Sequence, residues 1–320
     1  MIKCGYTSRN IPSAEKFERV YHDRLKAKRS GDKKTANTLK LALNTSFGAM
    51  LNQFNALYDP LMGRSVCISG QLFLSELVVA YINACSTIKI INFNTDGVMF
   101  SIDSDEMTTI YAINKEWEKR TGFILEEDKI KKVVQKDVSN YIIVKMDGEI
   151  EKKGGYLVTG ISGEGGGAWS INNTFTIVKD AILEYFVNNT PVEKTINSCN
   201  DIMCFQMIAK AGSKYKEAYQ LVNDKRIPIQ KVNRVYASND KTLGKLYKVH
   251  AITGSSAKIE SLPEHCIIDN TNVLTIKSVD KQWYIDLAKK RVNEFLGVKP
   301  PKVNRRKINS MKKELLKLFG

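Results

Sequence analysis

A tight turn between two apolar segments constrains the fold of this chain more than any other feature. Segments 88–93 (IKIINF) and 98–102 (VMFSI) are rich in β-branched and aromatic residues, and Asp96 and Gly97 lie between them. An Asp-Gly pair in this setting predicts a β-hairpin, because both residues accept the positive φ angles that two-residue hairpin turns require. The apolar stretch 70–85 before the hairpin predicts a core helix.

Two basic helices are predicted ahead of this hairpin. Segment 13–29 begins after Pro12, has Ser13 as a candidate N-cap and carries an apolar stripe at helical spacing. Residues 30–32 (SGD) interrupt the pattern, which resumes over 33–49. Two helices joined by so short a turn predict an antiparallel helical hairpin.

The rest of the chain mixes helical and strand patterns, so the predicted fold class is α+β. Helical periodicity falls on 106–120, 173–187, 213–223 and 281–296, and strand patterns fall on 133–134, 141–144 and 228–251. In the last helix the predicted buried face consists of Tyr284, Leu287, Ala288 and Phe295. The glycine-rich run 160–167 predicts a division between two regions, and it lacks the Lys-Ser/Thr ending of a phosphate-binding loop.

Composition predicts a protein that folds in water. Hydrophobic residues make up 43% of the chain and charged residues 26%, which is ordinary for a globular protein. Neither a long apolar run nor a signal-peptide pattern is evident, so we expect no membrane association and a cytoplasmic location. The six scattered cysteines predict reduced thiols and no structural zinc site, which would need four grouped ligands.

The positive charge of the chain is concentrated at its two ends. The formal net charge is +15, and residues 1–50 carry eleven Lys/Arg against four Asp/Glu. Residues 299–320 carry eight Lys/Arg against one acidic residue. Two basic blocks favour contact with a polyanion such as nucleic acid, although solvated basic helices have the same composition.

Two segments carry candidate chemistry. Lys40, Asn44 and Phe47 share one face of the second basic helix, where the lysine suits a phosphate and the ring suits a base, and Gly48 permits close approach where the helix is predicted to end. Asp96, held rigidly at the hairpin turn, is a candidate ligand for Mg²⁺, which prefers oxygen donors. Each segment alone also fits a structural role, as an amphipathic helix with a C-terminal glycine and as an ordinary tight turn.

Taken together and in order, these segments resemble a known family. Residues 40–48 (KLALNTSFG) resemble motif B of the family B DNA polymerases, Lys-x-x-x-Asn-Ser-x-Tyr-Gly, with Thr45 and Phe47 as conservative replacements. Residues 94–97 (NTDG) resemble motif C, Asp-Thr-Asp-Ser, whose second aspartate is kept as Asp96. The Asn-Thr-Asp-Gly form is typical of bacteriophage members of the family.

The resemblance covers nearly the whole chain and implies further contacts. Arg24 lies in a segment similar to the basic finger helix that reaches the triphosphate. Ser139 stands where the family has a lysine, two residues before a palm tyrosine. It implies that the palm residues Tyr141, Lys153 and Gly154 would contact the primer terminus. It implies that the thumb residues Lys231, Asn233 and Arg234 would bind duplex DNA.

The resemblance implies a right-hand arrangement of helical fingers, an antiparallel palm sheet with helices, and a mixed thumb. The implied boundaries are fingers at 1–49, palm at 50–160, thumb at 161–298 and a basic tail at 299–320. Its implied activity is addition of dNTPs to a primer on a DNA template by two-metal nucleotidyl transfer.

The implied roles of the site residues divide between the nucleotide and the metal. Arg24 and Lys40 would neutralise the β- and γ-phosphates of the incoming dNTP. Asn44, Phe47 and Gly48 would shape the pocket of the nascent base pair. The two Mg²⁺ ions would be held in part by Asp96.

One expected segment is missing from the sequence. The family's other metal-binding aspartate belongs to motif A, Asp-x-x-Ser-Leu-Tyr-Pro-Ser, and none of the 320 residues form such a segment. Residues 6–12 (YTSRNIP) resemble the sequence that follows motif A. We therefore expect the C-terminal part of a polymerase that needs an N-terminal fragment, in the host cytoplasm if the source is viral.

Two alternatives to an active polymerase remain open. The chain could be a non-catalytic remnant of a polymerase that still binds nucleic acid through its basic segments. It could also be an unrelated basic structural or packaging protein. Substitution of Asp96 separates the first interpretation from both alternatives, because one metal ligand adds little to contacts with the DNA backbone.

Overall fold

The computed structural model of the protein describes residues 4–11, 13–94, 97–158 and 175–298. The chain divides into two compact units, Met1–Glu127 and Asp128–Gly320. The helices are α1 Glu15–Arg29, α2 Lys33–Met50, α3 Pro60–Ala84, α4 Met107–Thr121, α5 Thr176–Asn188, α6 Val192–Ser198 and α7 Lys281–Phe295. The strands of the first unit are β1 Lys89–Asn94 and β2 Gly97–Ser101. Those of the second are β3 Ile130–Asp137, β4 Asn140–Lys145, β5 Ile150–Lys153, β6 Met207–Lys210, β7 Tyr215–Val222, β8 Lys225–Ile229, β9 Val232–Ala237, β10 Leu243–His250, β11 Ser256–Lys258 and β12 Cys266–Ile268.

The predicted helical hairpin is confirmed in the first unit, where α1 and α2 pack against each other. Gly31 adopts a φ of +78° in the connecting turn, a conformation that glycine accepts without strain. Asp32 then caps α2, because its Oδ1 accepts a hydrogen bond from the N–H of Thr35 at 3.0 Å. The predicted N-cap of α1 is wrong by one residue: Ala14 occupies that position, while the Ser13 hydroxyl accepts from the N–H of Glu15 at 3.1 Å.

Helix α3 begins ten residues earlier than the sequence pattern predicts. Pro60 occupies its first turn, where a missing N–H costs nothing, and the Asp59 carboxylate accepts from the N–H of Met62. Arg9 donates to the same carboxylate from its backbone N–H at 3.0 Å and from two guanidinium nitrogens at 2.8 and 2.9 Å. The hydrogen bonds from Arg9 hold the pKa of Asp59 well below its usual range. These contacts fix the segment before α1 to the start of α3.

The greater length of α3 corrects a second expectation. Its 25 residues are long and apolar enough, by length and composition, to cross a membrane, whereas the sequence showed no run of that length. Only 17% of its most apolar window is buried. The apolar side chains that are more than half exposed on this helix are Leu61, Ile68, Leu72, Val79 and Ile82.

The predicted β-hairpin is also confirmed. β1 and β2 are antiparallel, and Asn94 pairs with Gly97. Gly97 is thus the first residue of β2 and not a turn residue, contrary to the prediction. Thr95 and Asp96 lie outside the described part of the chain. One face of the hairpin packs on α3 and α4 around a core of Leu74, Leu77, Tyr81, Cys85, Ile110 and Trp117.

The second unit contains three antiparallel sheets and three helices. The strand orders are β3-β4-β5, β12-β9-β6 and β11-β10-β7-β8. Its core joins Ile142 of β4, Ile182 of α5, Val235 of β9 and Tyr284 of α7, all fully buried. The Tyr284 hydroxyl donates to the carbonyl of Phe205 at 2.6 Å and accepts from the N–H of Ala237 at 3.1 Å. This hydroxyl therefore satisfies two buried backbone groups on different elements.

The helix predicted at 213–223 is wrong, because this segment forms β7. β7 is a central strand between β10 and β8, and its consecutive residues Ala218, Tyr219 and Gln220 are all buried. Ala218 faces the core, whereas Tyr219 is buried on the other face against Tyr247. Consecutive buried residues destroy the alternation that marks a strand, and apolar residues at positions 215, 218, 219 and 222 then imitate helical spacing.

The remaining predicted elements of the second unit are confirmed, with boundaries shifted by a few residues. The helices predicted at 173–187 and 281–296 are α5 and α7. In α7, Leu287 is half-buried against the core, whereas Ile285 and Val292 complete the buried face. The glycine-rich run 160–167 lies outside the described residues, and the compact units divide instead after Glu127. The β3–β5 sheet consequently shares its core with α5 and α7.

Candidate nucleic-acid interface

The residues predicted to bind the nucleotide lie on one open surface of α2. Lys40, Asn44 and Gly48 follow one another at successive helical turns and are exposed, and Phe47 beside them is half-buried. Within the described residues, no hydrogen bond or ion pair engages the side chains of Lys40 and Asn44. A cation, an amide and a ring are thus presented together without competing protein partners.

Gly48 does not end the helix, contrary to the sequence-based prediction. α2 continues to Met50, and Leu51 is the C-terminal cap. A Cβ added to Gly48 would have no neighbour within 4 Å. The glycine is therefore not required by packing inside the first unit, which leaves close approach of a ligand as a reason for its presence.

Arg24 lies in an acidic environment on α1. Lys28, one turn further along α1, donates to Glu126 at 2.6 Å. The hydrogen bond from Lys28 and, to a smaller extent, the charge of Arg24 lower the pKa of the Glu126 carboxyl. Arg24 and Lys40 lie at similar distances from the turn of the hairpin, about 10 and 13 Å at a rise of 1.5 Å per residue.

Asp96, the predicted catalytic and metal-binding residue, lies outside the described part of the chain. In sequence it falls between the paired strands β1 and β2. Within the described residues, no group of three or more His, Cys, Asp or Glu side chains could hold a metal ion. Mg²⁺ is usually held by one or two carboxylates together with substrate phosphates, and Asp96, the carboxylate predicted for it, is not among those residues.

Two residues predicted to contact the primer face each other on neighbouring strands. Tyr141 of β4 pairs in register with Lys153 of β5, and the lysine Nζ lies 5.7 Å from the centre of the tyrosine ring. Lys153 is exposed and Tyr141 is half-buried. The sheet thus places one aromatic ring and one available cation on the same face.

Gly154, the third residue of this group, has a structural requirement of its own. Its φ is +99°, and an added Cβ would lie 2.2 Å from the Oδ1 of Asn140 and 2.3 Å from the carbonyl oxygen of Ser139. Asn140 is itself fixed, because its amide donates to both carboxylate oxygens of Asp137 at 2.9 and 3.1 Å. The glycine therefore lets the end of β5 approach the turn between β3 and β4.

The three predicted thumb residues do not lie in equivalent environments. Asn233 is 2% exposed, donates to the carbonyl of Gln230 at 2.7 Å and accepts from the amide of Asn270 at 3.1 Å. The backbone N–H of Arg234 donates to the same Asn270, and its guanidinium donates to Asn272. Lys231 is exposed. Asn233 and Arg234 thus stabilise the loop after β12, and Lys231 is the member open to solvent.

Sequence reasoning missed a cation cluster beside Gly154. The ring of Tyr156 has the Nζ of Lys136 and the guanidinium carbon of Arg291 each 4.9 Å from its centre. The buried Nζ of Lys179 donates to the carbonyl of Val158 at 2.8 Å. Burial, reinforced by the charge of Arg291, lowers the pKa of Lys179. A lysine within the apolar pattern of α5 is the one sequence signal for this cluster.

Comparison with known proteins gives a likeness in fold alone. No protein-family model and no curated protein sequence matches the chain. Among solved structures, the chain is similar to the family B DNA polymerase of the hyperthermophilic archaeon Pyrobaculum calidifontis, with a TM-score of 0.52 and 14% sequence identity. The match covers 89% of this chain and 38% of that polymerase. The chain thus has a distant polymerase-like α+β fold and spans 38% of the length of the polymerase it matches.

Proposed function

We propose that this chain is the fingers, palm and thumb part of a DNA-directed DNA polymerase of family B, of the bacteriophage type. The observation that supports the proposal is the order of two motif-like segments along a chain with a distant polymerase-like fold. Lys40, Asn44 and Phe47 lie on the second helix of a helical hairpin, and Asp96 falls in sequence between the paired strands β1 and β2. If the source is viral, the protein acts in the host cytoplasm.

In this proposal α2 binds the incoming dNTP. Lys40, with Arg24 on the neighbouring helix, neutralises the triphosphate, since an exposed lysine without a protein partner is suited to a phosphate. Phe47 lies against the base of the nascent pair, and Asn44 donates or accepts a hydrogen bond beside it. Gly48 has no side chain and the space beside it is open, so it leaves room for that pair.

The primer-template is bound in this proposal by the second unit. Tyr141 and Lys153 contact the backbone near the primer terminus, Gly154 sets the geometry of that strand end, and Lys231 contacts the duplex. Arg234 and Asn233 support the duplex contact through the loop after β12. Such contacts position DNA without reading its sequence, as a replicating enzyme requires.

The metal chemistry is proposed to need carboxylates from another polypeptide segment. Mg²⁺ would be held by Asp96 and would stabilise charge on the transferred phosphate. The two-stranded sheet β1–β2 has no third strand among the described residues, so each of its edges can accept one. We propose that an N-terminal fragment carrying motif A adds a strand there and supplies the missing ligand.

Primer extension with Mg²⁺ and dNTPs tests the proposal. The chain mixed with the polypeptide encoded immediately upstream should extend a primer, whereas the chain alone should not. Asp96→Asn should abolish synthesis and leave DNA affinity within about threefold, while the matched control Asp105→Asn, an exposed neighbour, should keep activity. Synthesis by the Asp96→Asn mixture would refute the assignment of Asp96, and robust synthesis by the chain alone would refute the need for a partner.

A second experiment tests the nucleotide surface. Lys40→Ala should raise the KM for dNTPs about tenfold or more, because a charge-assisted hydrogen bond contributes about 1.5–3 kcal/mol. The matched control is Lys34→Ala, an exposed lysine on a different side of the same helix. Equal KM values for the two variants would contradict a phosphate role for Lys40.

A non-catalytic nucleic-acid-binding protein is the second candidate function. The observation that favours it is a set of exposed cations, such as Lys40 and Lys231, that form no ion pair among the described residues. This candidate predicts salt-sensitive binding to primer-template and no synthesis with any added fragment. The reconstitution experiment therefore separates the two functions directly.

A further inference from the structure

The four-stranded sheet β11-β10-β7-β8 carries a strong excess of positive charge. Its strands contain a single acidic residue, Glu217. The basic residues within the same strands are Lys216, Lys225, Arg226, Lys245, Lys248 and Lys258. This excess lies far in sequence from the two basic terminal blocks. Acidic residues elsewhere in the interior of the chain balance it, so the net charge of the interior does not reveal it.

Most of these cations have no carboxylate partner. Lys245 forms an ion pair with Glu264 at 2.6 Å. The other five have no acidic group within 4 Å among the described residues. Unpaired cations on one sheet repel one another, so an external anion stabilises this surface.

Aromatic rings lie between these cations. The rings of Tyr219 and Tyr247, on adjacent strands, stack with centres 5.1 Å apart and planes 6° from parallel. The Arg226 guanidinium lies 4.8 Å from the centre of the Tyr219 ring. At the end of the same sheet, Lys248 lies 4.7 Å from the ring of Tyr215.

Register places one row of these groups on a single face of the sheet. Tyr247 is the direct partner of both Tyr219 and Lys258. Ala218 and Leu246, which alternate with the two tyrosines, face the buried core. The row from Arg226 to Lys258 crosses three strand spacings, about 14 Å, which is long enough to contact several phosphates of one strand.

We propose that this face of the β11-β10-β7-β8 sheet binds the phosphodiester backbone of single-stranded nucleic acid. The unpaired cations Arg226 and Lys258 supply the affinity for phosphate, and the half-buried ring of Tyr247 lies where an unpaired base can stack. In a duplex the bases stack on one another, so a duplex gains only the electrostatic part of the binding free energy. This surface requires no catalysis and is separate from the polymerase proposal, whose failure would leave it intact.

Salt dependence of binding by the full chain tests this surface. The probe is a fluorescent oligothymidylate of about twenty nucleotides, which is longer than the ~4–16 nucleotides that a single-strand-binding OB-fold covers. The sheet variant combines Arg226→Gln and Lys258→Gln, the two cations of this row. The control variant loses the same charge at two exposed lysines elsewhere, Lys115→Gln and Lys277→Gln.

The expected result is a change in the slope of log K against log salt concentration. Loss of two phosphate contacts should reduce the slope by about 1.4 for the single strand, since each contact contributes ~0.7. A duplex of equal length should lose less affinity than the single strand. If the sheet variant binds like the control variant, the surface is refuted. If the duplex loses as much affinity as the single strand, the single-strand assignment is refuted.

A single substitution keeps the experiment interpretable if the double variant fails to fold. Lys258 lies on the short edge strand β11, is exposed and forms no ion pair among the described residues. Lys258→Gln should reduce the slope by ~0.7 with an unchanged thermal melt. An unchanged slope in this folded variant would also refute the proposal.

Discussion

Substitution of Gly154 by alanine gives the most decisive test of the fold beside the predicted primer contact. The added methyl group would meet the Oδ1 of Asn140 at 2.2 Å and the carbonyl of Ser139 at 2.3 Å, both far inside van der Waals contact. A φ of +99° adds about 1–3 kcal/mol of backbone strain for an L side chain. Overpacking adds another ~1–3 kcal/mol, so Gly154→Ala should destabilise the second unit by about 2–6 kcal/mol.

The adjacent Gly155 provides a matched control. A Cβ on Gly155 would have no neighbour within 4 Å, and its φ is not in the left-handed region. Gly155→Ala should therefore be neutral or stabilise by up to about 1 kcal/mol. Urea unfolding followed by circular dichroism measures both variants, with an unchanged m-value as the sign of an intact native state. Equal midpoints for Gly154→Ala and Gly155→Ala would refute the close approach of β5 to the β3–β4 turn.

Three further predictions concern stability. Gly48→Ala should stabilise the chain by about 0.5–1 kcal/mol, because the glycine lies inside α2 with open space around it. The same variant should weaken dNTP binding. A melting temperature below that of the wild type would contradict the predicted stabilisation. Asp59 has a depressed pKa in the folded protein because of Arg9, so its contribution is present above about pH 4, the unfolded value, and is lost as the pH falls through the folded pKa. Asp59→Asn should consequently differ from the wild type most above pH 4, and a difference that grows on acidification would have the wrong sign. Tyr284→Phe should cost about 1–3 kcal/mol in urea unfolding, because two buried backbone groups lose their partner; a neutral effect would contradict the geometry.

The sequence predicted the elements whose signals are local. The hairpin was predicted because apolar strands flank Asp96 and Gly97, although Gly97 begins β2 and pairs with Asn94 where a turn residue was expected. Residues 30–32 specified the helical hairpin by interrupting an otherwise helical pattern. Helix α7 was predicted to within one residue, since it is exposed on one side and keeps a clean helical stripe.

Features that depend on distant residues were not predictable in the same way. The β7 segment was predicted as a helix because Tyr219 is apolar and buried where a strand exposed on one face would have a polar residue. Tyr247, which buries it, belongs to a strand about thirty residues later. The first ten residues of α3 have no clear stripe, and its start is set by Asp59 together with Arg9, fifty residues apart. The close contact of Gly154 with Asn140 likewise exists only once β3, β4 and β5 have paired.

The distinction between paired and unpaired cations locates the candidate interfaces better than net charge does. Lys136 and Lys145 lie on the β3–β5 sheet, but their charges are neutralised by acidic neighbours and serve the fold. Lys40 on α2 and Lys258 on β11 have no such partner among the described residues, and both are exposed. Because folding gains little from an isolated exposed charge, such a cation is free to contribute its full interaction to a ligand. If variants at unpaired positions weaken DNA or dNTP binding while variants at paired positions chiefly lower stability, this pairing pattern identifies the functional surfaces of the chain.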